Sequence, residues 1–302
     1  MTLTPLDAHL DEQAAVLALA DAGGPRPAHH TARLLLTRGA AQRLLHGDLS
    51  DLDDEADREH AVWLLPRVEA DGIDRARRRI TAAREAGIGL IALGVDHYPG
   101  NLAWANNHPA FLWVRGHLDT SDYRTVAVVG EHDVIHAAEA ATALAQAGLT
   151  IVAGLRTDLD AAIHHAALQA GGRTLAVLPG GITAPAPHAA LAAQIAERGA
   201  LVCPSWPDLA PDAATLYQQS VMTCGLAATT YITDGISGGR AQFCTRMSLN
   251  TGKHVFVPAH LHRDLPWVAR AGFRGGMTSI TGTADLTAQV LHLLHLSAIT
   301  VF

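Results

Sequence analysis

The sequence contains little of what several classes of protein require. Its three cysteines, Cys203, Cys224 and Cys244, are dispersed and lack metal-ligand spacing, so we expect buried residues and no metal site. No uninterrupted apolar stretch reaches the roughly 18 residues of a membrane span. The opening "MTLTPLDAHLDEQ" lacks the basic and apolar regions of a secretion signal. We therefore expect a cytoplasmic protein with no membrane partner.

Positive charge and aromatic side chains are also scarce. Lys253 is the only lysine among 22 basic residues, and the formal net charge is −7. This charge argues against a surface that is basic throughout and binds nucleic acid everywhere, but it is compatible with a local basic face. Aromatic residues make up 5% of the chain, and no stacking series is visible. Any nucleic-acid binding is thus expected to depend on phosphate contacts and to weaken steeply with salt.

Short β-branched segments that alternate with alanine-rich segments are the clearest positive signal. "TVAVVG" at Thr125–Gly130 is the first of them, followed at regular intervals by "LTIVAGL" and "RTLAVLPGG". This alternation predicts a parallel sheet with crossover helices. Because ligands bind at the carboxyl ends of such strands, the residues after Val129, Val152 and Leu178 are the first candidates for a site.

The sequence changes in character near Ile88. Residues 1–87 are predicted to form a helical module. Its basic segment "GIDRARRRITAAREAG" is interpreted as a solvated helix face or, alternatively, as a phosphate-contacting face. Residues 88–302 are predicted to form the sheet domain. The candidate strands are residues 88–94, 110–116, 125–130, 149–153, 173–178, 199–203, 229–234, 253–258 and 277–281.

Several segments, taken in order, resemble a known family. They are "YPGNLAWANNHPAFLWVRG", "VAVVGEH", "AGLRTDLDAAIHHAAL", "GGRTLAVLPGGIT", "CGLAATTYITDGISGGRA" and "GKHVFVPA". Their order and spacing are similar to those of bacterial DNA-processing protein A, the DprA or Smf family. The resemblance covers roughly residues 10–290.

This resemblance implies an α/β fold, namely a Rossmann-like parallel sheet with a two-strand extension and an N-terminal helical module of the SAM or helix-hairpin-helix type. It implies a homodimer that binds single-stranded DNA and loads a recombinase of the RecA type. The implied role is to assist recombination, DNA uptake in natural transformation, or DNA processing. Neither a catalytic step nor a cofactor is expected.

The sequence departs from the family pattern at several basic positions. The family's Arg-Asn-Arg segment is replaced in this chain by Gln219, Ser220 and Val221. Where the family has an arginine at the strand end, this chain has His132, and where the family has a glycine before its Ile-Asp pair, this chain has Asp158. The winged-helix tail that many members carry is expected to be absent. A nucleotide or nucleotide-derivative sensor that uses the same pocket, with DNA binding lost, is therefore the alternative hypothesis.

The turn after the first parallel strand is one candidate phosphate site. Gly130 precedes a helix that is expected to start near Val134, and free N–H groups at a helix N-terminus attract anions. His132 also lies in this turn. Glu131 and Asp133 place carboxylates where a phosphate would bind, and Asp133 is expected to be the N-cap of the helix.

The loop Ser237, Gly238, Gly239, Arg240 is the preferred phosphate site. It follows a predicted strand and opens a predicted helix. The glycines allow close backbone approach, Ser237 can donate a hydrogen bond, and Arg240 can pair bidentately with a phosphate. As a loop residue, Arg240 is expected to bury little surface. Its replacement by alanine is therefore expected to weaken ligand binding and to leave folding almost unaffected.

A positive pocket is predicted at the same edge of the sheet. Gly154 ends the second parallel strand, and Arg156 is expected to overhang the edge beside Arg240. Together with Lys253 and Arg115, these side chains would form a basic pocket for a strand of phosphates or for a nucleotide.

Two further features have less weight. Gly180 and Gly181 supply flexible backbone at another strand end, but "PGGITAPAPH" lacks the second glycine pair and the glutamate of phosphoribohydrolases. A tight turn is preferred there, and a nucleoside-phosphate glycosidase is the last-ranked hypothesis. Asp160 and His164 lie four residues apart on one helical face, and we interpret them as anchoring the helix rather than as an acid–base pair.

Overall fold

The computed structural model describes residues 5–24, 26–185, 188–273 and 275–299. The chain divides into two compact units. The first comprises Met1–Tyr98 with Asn106–Arg115, and the second comprises Pro99–Ala105 with Gly116–Phe302.

The first unit consists of helices followed by a β-hairpin. The helices predicted in this part of the chain are confirmed over the described residues 5–24 and 26–85, and a 3-10 turn covers Leu65–Arg67. The hairpin strands pair antiparallel, with Ala92 opposite Phe111. The elements are α1 Pro5–Ala22, α2 Ala28–Arg33, α3 Ala40–Leu45, α4 Glu55–Leu64, α5 Gly72–Glu85, β1 Gly89–Ala92 and β2 Phe111–Gly116.

The hairpin belongs to the same compact unit as the helices, which differs from the predicted boundary after residue 87. The reason is packing, because β1 lies against α1 and α5. Gln13, buried on α1, donates to the carbonyl oxygen of Leu90 at 3.0 Å and to the Asp96 carboxylate at 2.9 Å. The division into two domains at residue 87 stays a prediction.

Two arginines of the basic cluster on α5 are paired with carboxylates within the first unit. Arg75 pairs with the carboxylates of Asp21, Glu69 and Asp71. Arg77 pairs with those of Asp11 and Asp74. These pairs support the interpretation of α5 as an ordinary solvated face.

The second unit is a parallel sheet covered by helices. A 3-10 turn, Thr120–Arg124, precedes its first strand. The strands are β3 Thr125–Val129, β4 Thr150–Gly154, β5 Thr174–Val177, β6 Ala200–Cys203, β7 Thr229–Ile232, β8 Val255–Pro258 and β9 Met277–Ile280. The helices are α6 Gly100–Ala103, α7 Val134–Gln146, α8 Asp158–Gln169, α9 Ala189–Arg198, α10 Ala213–Leu226, α11 Arg240–Asn250, α12 Ala259–Asp264, α13 Pro266–Gly272 and α14 Thr283–Ile299.

The seven strands of this unit run in the order β6-β5-β4-β3-β7-β8-β9. Every pair between these neighbours is parallel. From β3 the chain moves outward through β4, β5 and β6, then returns to place β7 on the other side of β3. The direction of winding therefore switches between β3 and β7, and the crevice at such a point is the usual ligand site of this architecture.

The sheet forms because its strands are apolar and β-branched, and all five residues of both β3 and β4 are buried. One face packs against α7, α8 and α14 through side chains such as Leu144, Ile163 and Val290. The predicted α/β, Rossmann-like class is confirmed, and each predicted strand is present. The three cysteines are buried and free. Among the described helices, none is both long and apolar enough to cross a bilayer.

Candidate functional site

The turn after β3 is occupied by a carboxylate of the chain itself. The backbone N–H groups of Glu131 and His132 donate to Asp234 Oδ1 and Oδ2 at 2.8 and 2.7 Å. A Cβ on Gly130 would lie 2.3 Å from Asp234 Oδ1, so only glycine allows this approach. Asp133 caps α7 through the N–H of His136, as predicted. Asp234 thus fills the position that the sequence predicts for a phosphate.

A second carboxylate occupies the N-terminus of α11. Glu131 Oε1 accepts from the N–H of Ala241 at 3.1 Å. A Cβ on Gly239 would lie 2.1 Å from that same Glu131 oxygen. The N–H of Gly238 donates to the side chain of Gln242 at 2.7 Å. The loop from Ser237 to Gly239 therefore has its anion position filled by Glu131.

A third carboxylate, that of Asp160, lies at the N-terminus of α8 and is 1% exposed. Its Oδ2 accepts from the N–H groups of Arg156 and Thr157 at 3.1 Å each. Burial raises the pKa of Asp160, but the charge of Arg240 and the two N–H groups outweigh it. The net result is a pKa below the ordinary value.

Arg240 is a structural partner rather than a free loop arginine. Its Nη1 lies 2.9 Å from Asp160 Oδ1, and its Nη2 donates to the carbonyl oxygen of Gly130 at 2.8 Å. The side chain is only 17% exposed. The expectation that it buries little is wrong, because α11 begins at this residue and its side chain contacts Asp160 on α8 and the carbonyl oxygen of Gly130.

The exposed side chains of His132 and Arg156 lie on this edge of the sheet, as expected from their positions after β3 and β4. Gly154 ends β4, and its carbonyl oxygen accepts from His164 Nε2 at 2.7 Å. Burial lowers the pKa of His164 to about 4, so the imidazole is neutral at pH 7. His164 Nδ1 lies 2.7 Å from Thr174 Oγ1. These bonds fix α8 to the sheet and agree with the anchoring interpretation.

The turn at Gly180 and Gly181 is packed shut. The N–H of Gly181 donates to the carbonyl oxygen of Leu209 at 2.7 Å. A Cβ on Gly181 would lie 2.3 Å from the carbonyl oxygen of Pro207. The loop before α10 therefore covers this backbone, which supports the tight-turn interpretation.

Lys253 lies away from the predicted positive pocket. It precedes β8, so it belongs to the edge where the parallel strands begin. Its Nζ donates to the carbonyl oxygens of Asn101, Cys224 and Gly225 at 2.9, 3.0 and 2.6 Å. Burial lowers its pKa to about 8. The prediction that Lys253 shares a pocket with Arg156 is therefore wrong. Arg115, the other predicted member of that pocket, lies at the end of β2 in the first unit.

The residues in place of the expected basic segment point into the protein. Gln219 is buried and donates to the carbonyl oxygen of Val177 at 2.8 Å, and Val221 is buried as well. Ser220 Oγ bonds back to the carbonyl oxygen of Leu216 on its own helix. This segment of α10 therefore offers no cation to a ligand.

A cavity of about 410 Å³ lies between α11 and α13, beside Gly238 and Gly239. The described residues of its lining include two arginines and no carboxylate, in a chain with a net charge of −7. Trp267 is 3% exposed, and its indole N–H has no acceptor among the described residues. The polar and aromatic lining side chains are Gln242, Phe243, Arg246, Asn250, Trp267 and Arg270.

An aromatic pair adjoins this cavity. The rings of Tyr217 on α10 and Phe243 on α11 meet edge to face, with centroids 5.2 Å apart. Tyr217 is 46% exposed, and the guanidinium carbon of Arg246 lies 5.7 Å from the centre of the Phe243 ring. Sequence reasoning missed this group because the two rings come from different helices. A signal was present in the spacing of Gln242, Phe243 and Arg246 on one side of α11.

Residues 89–297 match the family model described as DNA recombination-mediator protein A. The chain is 30% identical over 176 residues to Protein Smf of Escherichia coli, a match covering 56% of this chain and 47% of that protein. It spans less than two thirds of the length of this and the next curated relatives.

Two solved structures share the fold. DNA processing protein A from Streptococcus pneumoniae superposes with a TM-score of 0.64 at 18% identity, covering 95% of this chain and 98% of that one. DNA processing protein A from Helicobacter pylori, described with a single-stranded DNA binding mode, gives 0.57 at 17% identity. That match covers 68% of this chain and 96% of that one.

Proposed function

The chain belongs to the DNA recombination-mediator protein A family, and on that premise we propose that it binds single-stranded DNA at the cavity between α11 and α13. The role that follows is to assist recombination, DNA uptake or DNA processing. The protein acts by binding, without a catalytic step.

The observation that carries this proposal is the chemistry of the cavity lining. Arg246 and Arg270 supply positive charge, and none of the described lining residues carries a carboxylate to oppose it. Phe243 and Tyr217 supply ring faces at its side. Proteins that bind single strands without sequence preference combine a basic groove for phosphates with aromatic groups on which bases stack.

An unpaired strand suits this site better than a duplex. The ring faces of Tyr217 and Phe243 can stack on a base only if that base is splayed out of a helix, as bases in a single strand can be. The indole N–H of Trp267 lacks an acceptor among the described residues, but it is itself buried, so it can donate to a base or a phosphate oxygen only after the cavity lining moves. Binding should thus retain a component that resists salt, in contrast to the purely phosphate-based binding expected from composition.

The alternative hypothesis, a nucleotide sensor, receives less support. Its pocket would be the crevice at β3 and β7, where Asp234, Glu131 and Asp160 already accept the N–H groups that a phosphate needs. A phosphate entering there would have to displace one of these carboxylates and overcome its charge. A thermal-shift screen tests this alternative. A nucleotide that stabilises the wild-type protein, and no longer does so when residues of this crevice are replaced, would favour the sensor.

Homodimer formation and contact with a recombinase of the RecA type are further parts of the proposal and rest on family membership alone. Light scattering over a range of concentrations tests the dimer. A species that stays monomeric at the highest concentration would count against it.

The test of DNA binding is fluorescence anisotropy with a labelled oligo-dT. The variant Arg246→Gln/Arg270→Gln removes both cavity cations, and we expect at least about tenfold weaker binding. Arg124→Gln/Arg263→Gln, which removes the same charge elsewhere on the second unit, should remain within about twofold of wild type. Equal affinity of the two double variants, or no binding by the wild type at low salt, would contradict the proposal.

A further inference from the structure

A second cationic and aromatic group lies in the first unit, on helices and a turn that the proposed function does not use. The guanidinium carbon of Arg26 lies 3.6 Å from the centre of the Trp63 ring, and that of Arg67 lies 4.1 Å from it. Both guanidinium groups therefore lie in contact with the same indole ring. We call this group the Arg26–Trp63–Arg67 stack.

Hydrogen bonds hold both guanidinium groups in place. Arg26 Nη1 lies 3.1 Å from His60 Nδ1, and Thr31 Oγ1 lies 3.2 Å from His60 Nε2. His60 is 3% exposed, and burial, with the charge of Arg26, lowers its pKa. The imidazole is therefore neutral at pH 7, and its Nδ1 accepts from Arg26. Arg67 Nη1 donates to the carbonyl oxygen of Trp63.

Neither arginine of the stack has a carboxylate partner among the described residues. No described carboxylate oxygen lies within 4.0 Å of the guanidinium of Arg26 or of Arg67, whereas Arg33, Arg43 and Arg75 of the same unit each have at least one. Arginines that are charged, exposed and held rigid lose little entropy when they bind an anion bidentately. The stack is thus prepared for phosphate or carboxylate oxygens that the chain does not supply.

Further planar groups continue the surface. The rings of His29 and His30 stack with centroids 4.5 Å apart, and His30 lies 5.5 Å from His60. The side chains of Arg26, His30 and Arg67 are exposed. An acidic peptide would use only the charges of this surface, whereas an unpaired nucleic acid would use both the charges and the planar faces, because bases stack on histidine rings and guanidinium planes.

We propose that the Arg26–Trp63–Arg67 stack, with His30, is a second contact surface for single-stranded nucleic acid, in which Arg26 and Arg67 bind phosphates. The inference rests on the proposed function, since it requires the protein to bind single strands. It adds to that function a contact from the helical unit. Both arginines then bind the strand backbone without sequence preference.

The test measures the salt dependence of oligo-dT binding by the full chain. Each phosphate contact to a single strand contributes about 0.7 to the slope of log K against log salt, so Arg26→Gln/Arg67→Gln should lower the slope by about 1.4. Affinity should fall about tenfold at low salt. Arg26→Lys/Arg67→Lys keeps both charges and should retain the slope. Arg38→Gln/Arg78→Gln, a matched loss of two exposed arginines in the same unit, should change it little.

The outcomes separate this inference from the proposed function. Wild-type slope and affinity in a folded Arg26→Gln/Arg67→Gln variant, or in Arg67→Gln alone if the double variant does not fold, overturn the inference only. A smaller slope of log K against log salt in Arg26→Gln/Arg67→Gln, with no change of slope in Arg246→Gln/Arg270→Gln, supports the inference. It would also show that the strand does not bind at the cavity. A polyglutamate peptide that needs Arg26 and Arg67 while DNA does not would assign the surface to an acidic protein and overturn it. No binding of DNA by the wild type overturns both.

Discussion

Replacing Arg240 by alanine should destabilise the protein strongly, even though the residue directly follows a glycine-rich loop at the ligand edge. Asp160 is 1% exposed and would lose the guanidinium that lies 2.9 Å from its Oδ1. Removing one partner of a buried ion pair costs about 3–5 kcal/mol, because the remaining charge stays buried. In a unit of this size, 1 kcal/mol corresponds to about 2–4 °C, so Tm should fall by roughly 6–20 °C.

The pH dependence of this loss follows from the pKa of Asp160. In the wild type that pKa lies below its ordinary value despite burial, because Arg240 and two N–H groups stabilise the carboxylate. Without Arg240, burial raises it, so the variant keeps its stability only while Asp160 is protonated and loses it as pH rises. The Tm difference from wild type should therefore be smaller near pH 4 than at neutral pH.

Calorimetry of three variants tests this reasoning. Arg156→Ala, at the exposed arginine beside the same carboxylate, should change stability by less than about 0.5 kcal/mol. Asp160→Leu/Arg240→Met removes both charges and should recover part of the stability that Arg240→Ala loses. A Tm for Arg240→Ala within about 2 °C of wild type would refute the structural role of the ion pair.

Three other predictions concern single positions. His164 stays neutral in the folded protein, with a pKa of about 4, so about 3 kcal/mol of stability should be lost as pH falls from 6.5 to 4. Urea titrations of His164→Gln should lack this loss, and a pH profile equal to that of the wild type would contradict the prediction. Lys253→Met leaves three carbonyl oxygens without their donor and should lower the stability by about 3 kcal/mol without weakening oligo-dT binding. Weaker binding at unchanged Tm would instead show that Lys253 takes part in DNA binding. Glu131→Gln removes a negative charge from the N-terminus of α11 and should strengthen oligo-dT binding about two- to fivefold at low salt; weaker binding would show that Glu131 helps to bind DNA.

The fold could be predicted because its signals are local. A buried strand such as Thr125–Val129 is a continuous β-branched run, and the glycines and alanine-rich segments that follow it mark where helices begin. Parallel strands need a crossover of a dozen or more residues, and an alanine-rich helix supplies one after each of these strands, so the chain order favoured a parallel sheet. The placement of the β1–β2 hairpin with the helices could not be predicted in this way, because it depends on packing against α1 and α5.

The site could be predicted only in outline. The loops after β3 and β7 lie at the switch point, as expected from topology. Their occupants were missed because the contacts join residues far apart in sequence, for example Glu131 with Ala241 across 110 positions and Asp160 with Arg240 across 80. A glycine-rich turn at a helix start indicates an anion site but does not tell whether a carboxylate of the same chain fills it. The Tyr217–Phe243 pair, from two helices, was hidden for the same reason.

Photo-crosslinking tests the central claim most directly, namely that a single strand lies over the aromatic pair and the cavity between α11 and α13. A bromodeoxyuridine-substituted oligonucleotide would be irradiated with the wild-type protein, and the crosslinked peptides mapped by mass spectrometry. We predict crosslinks at Tyr217, Phe243 or Trp267, and their loss in Arg246→Gln/Arg270→Gln. Crosslinks confined to the turns at Gly130 and Gly181, with none on α10, α11 or α13, would contradict the account.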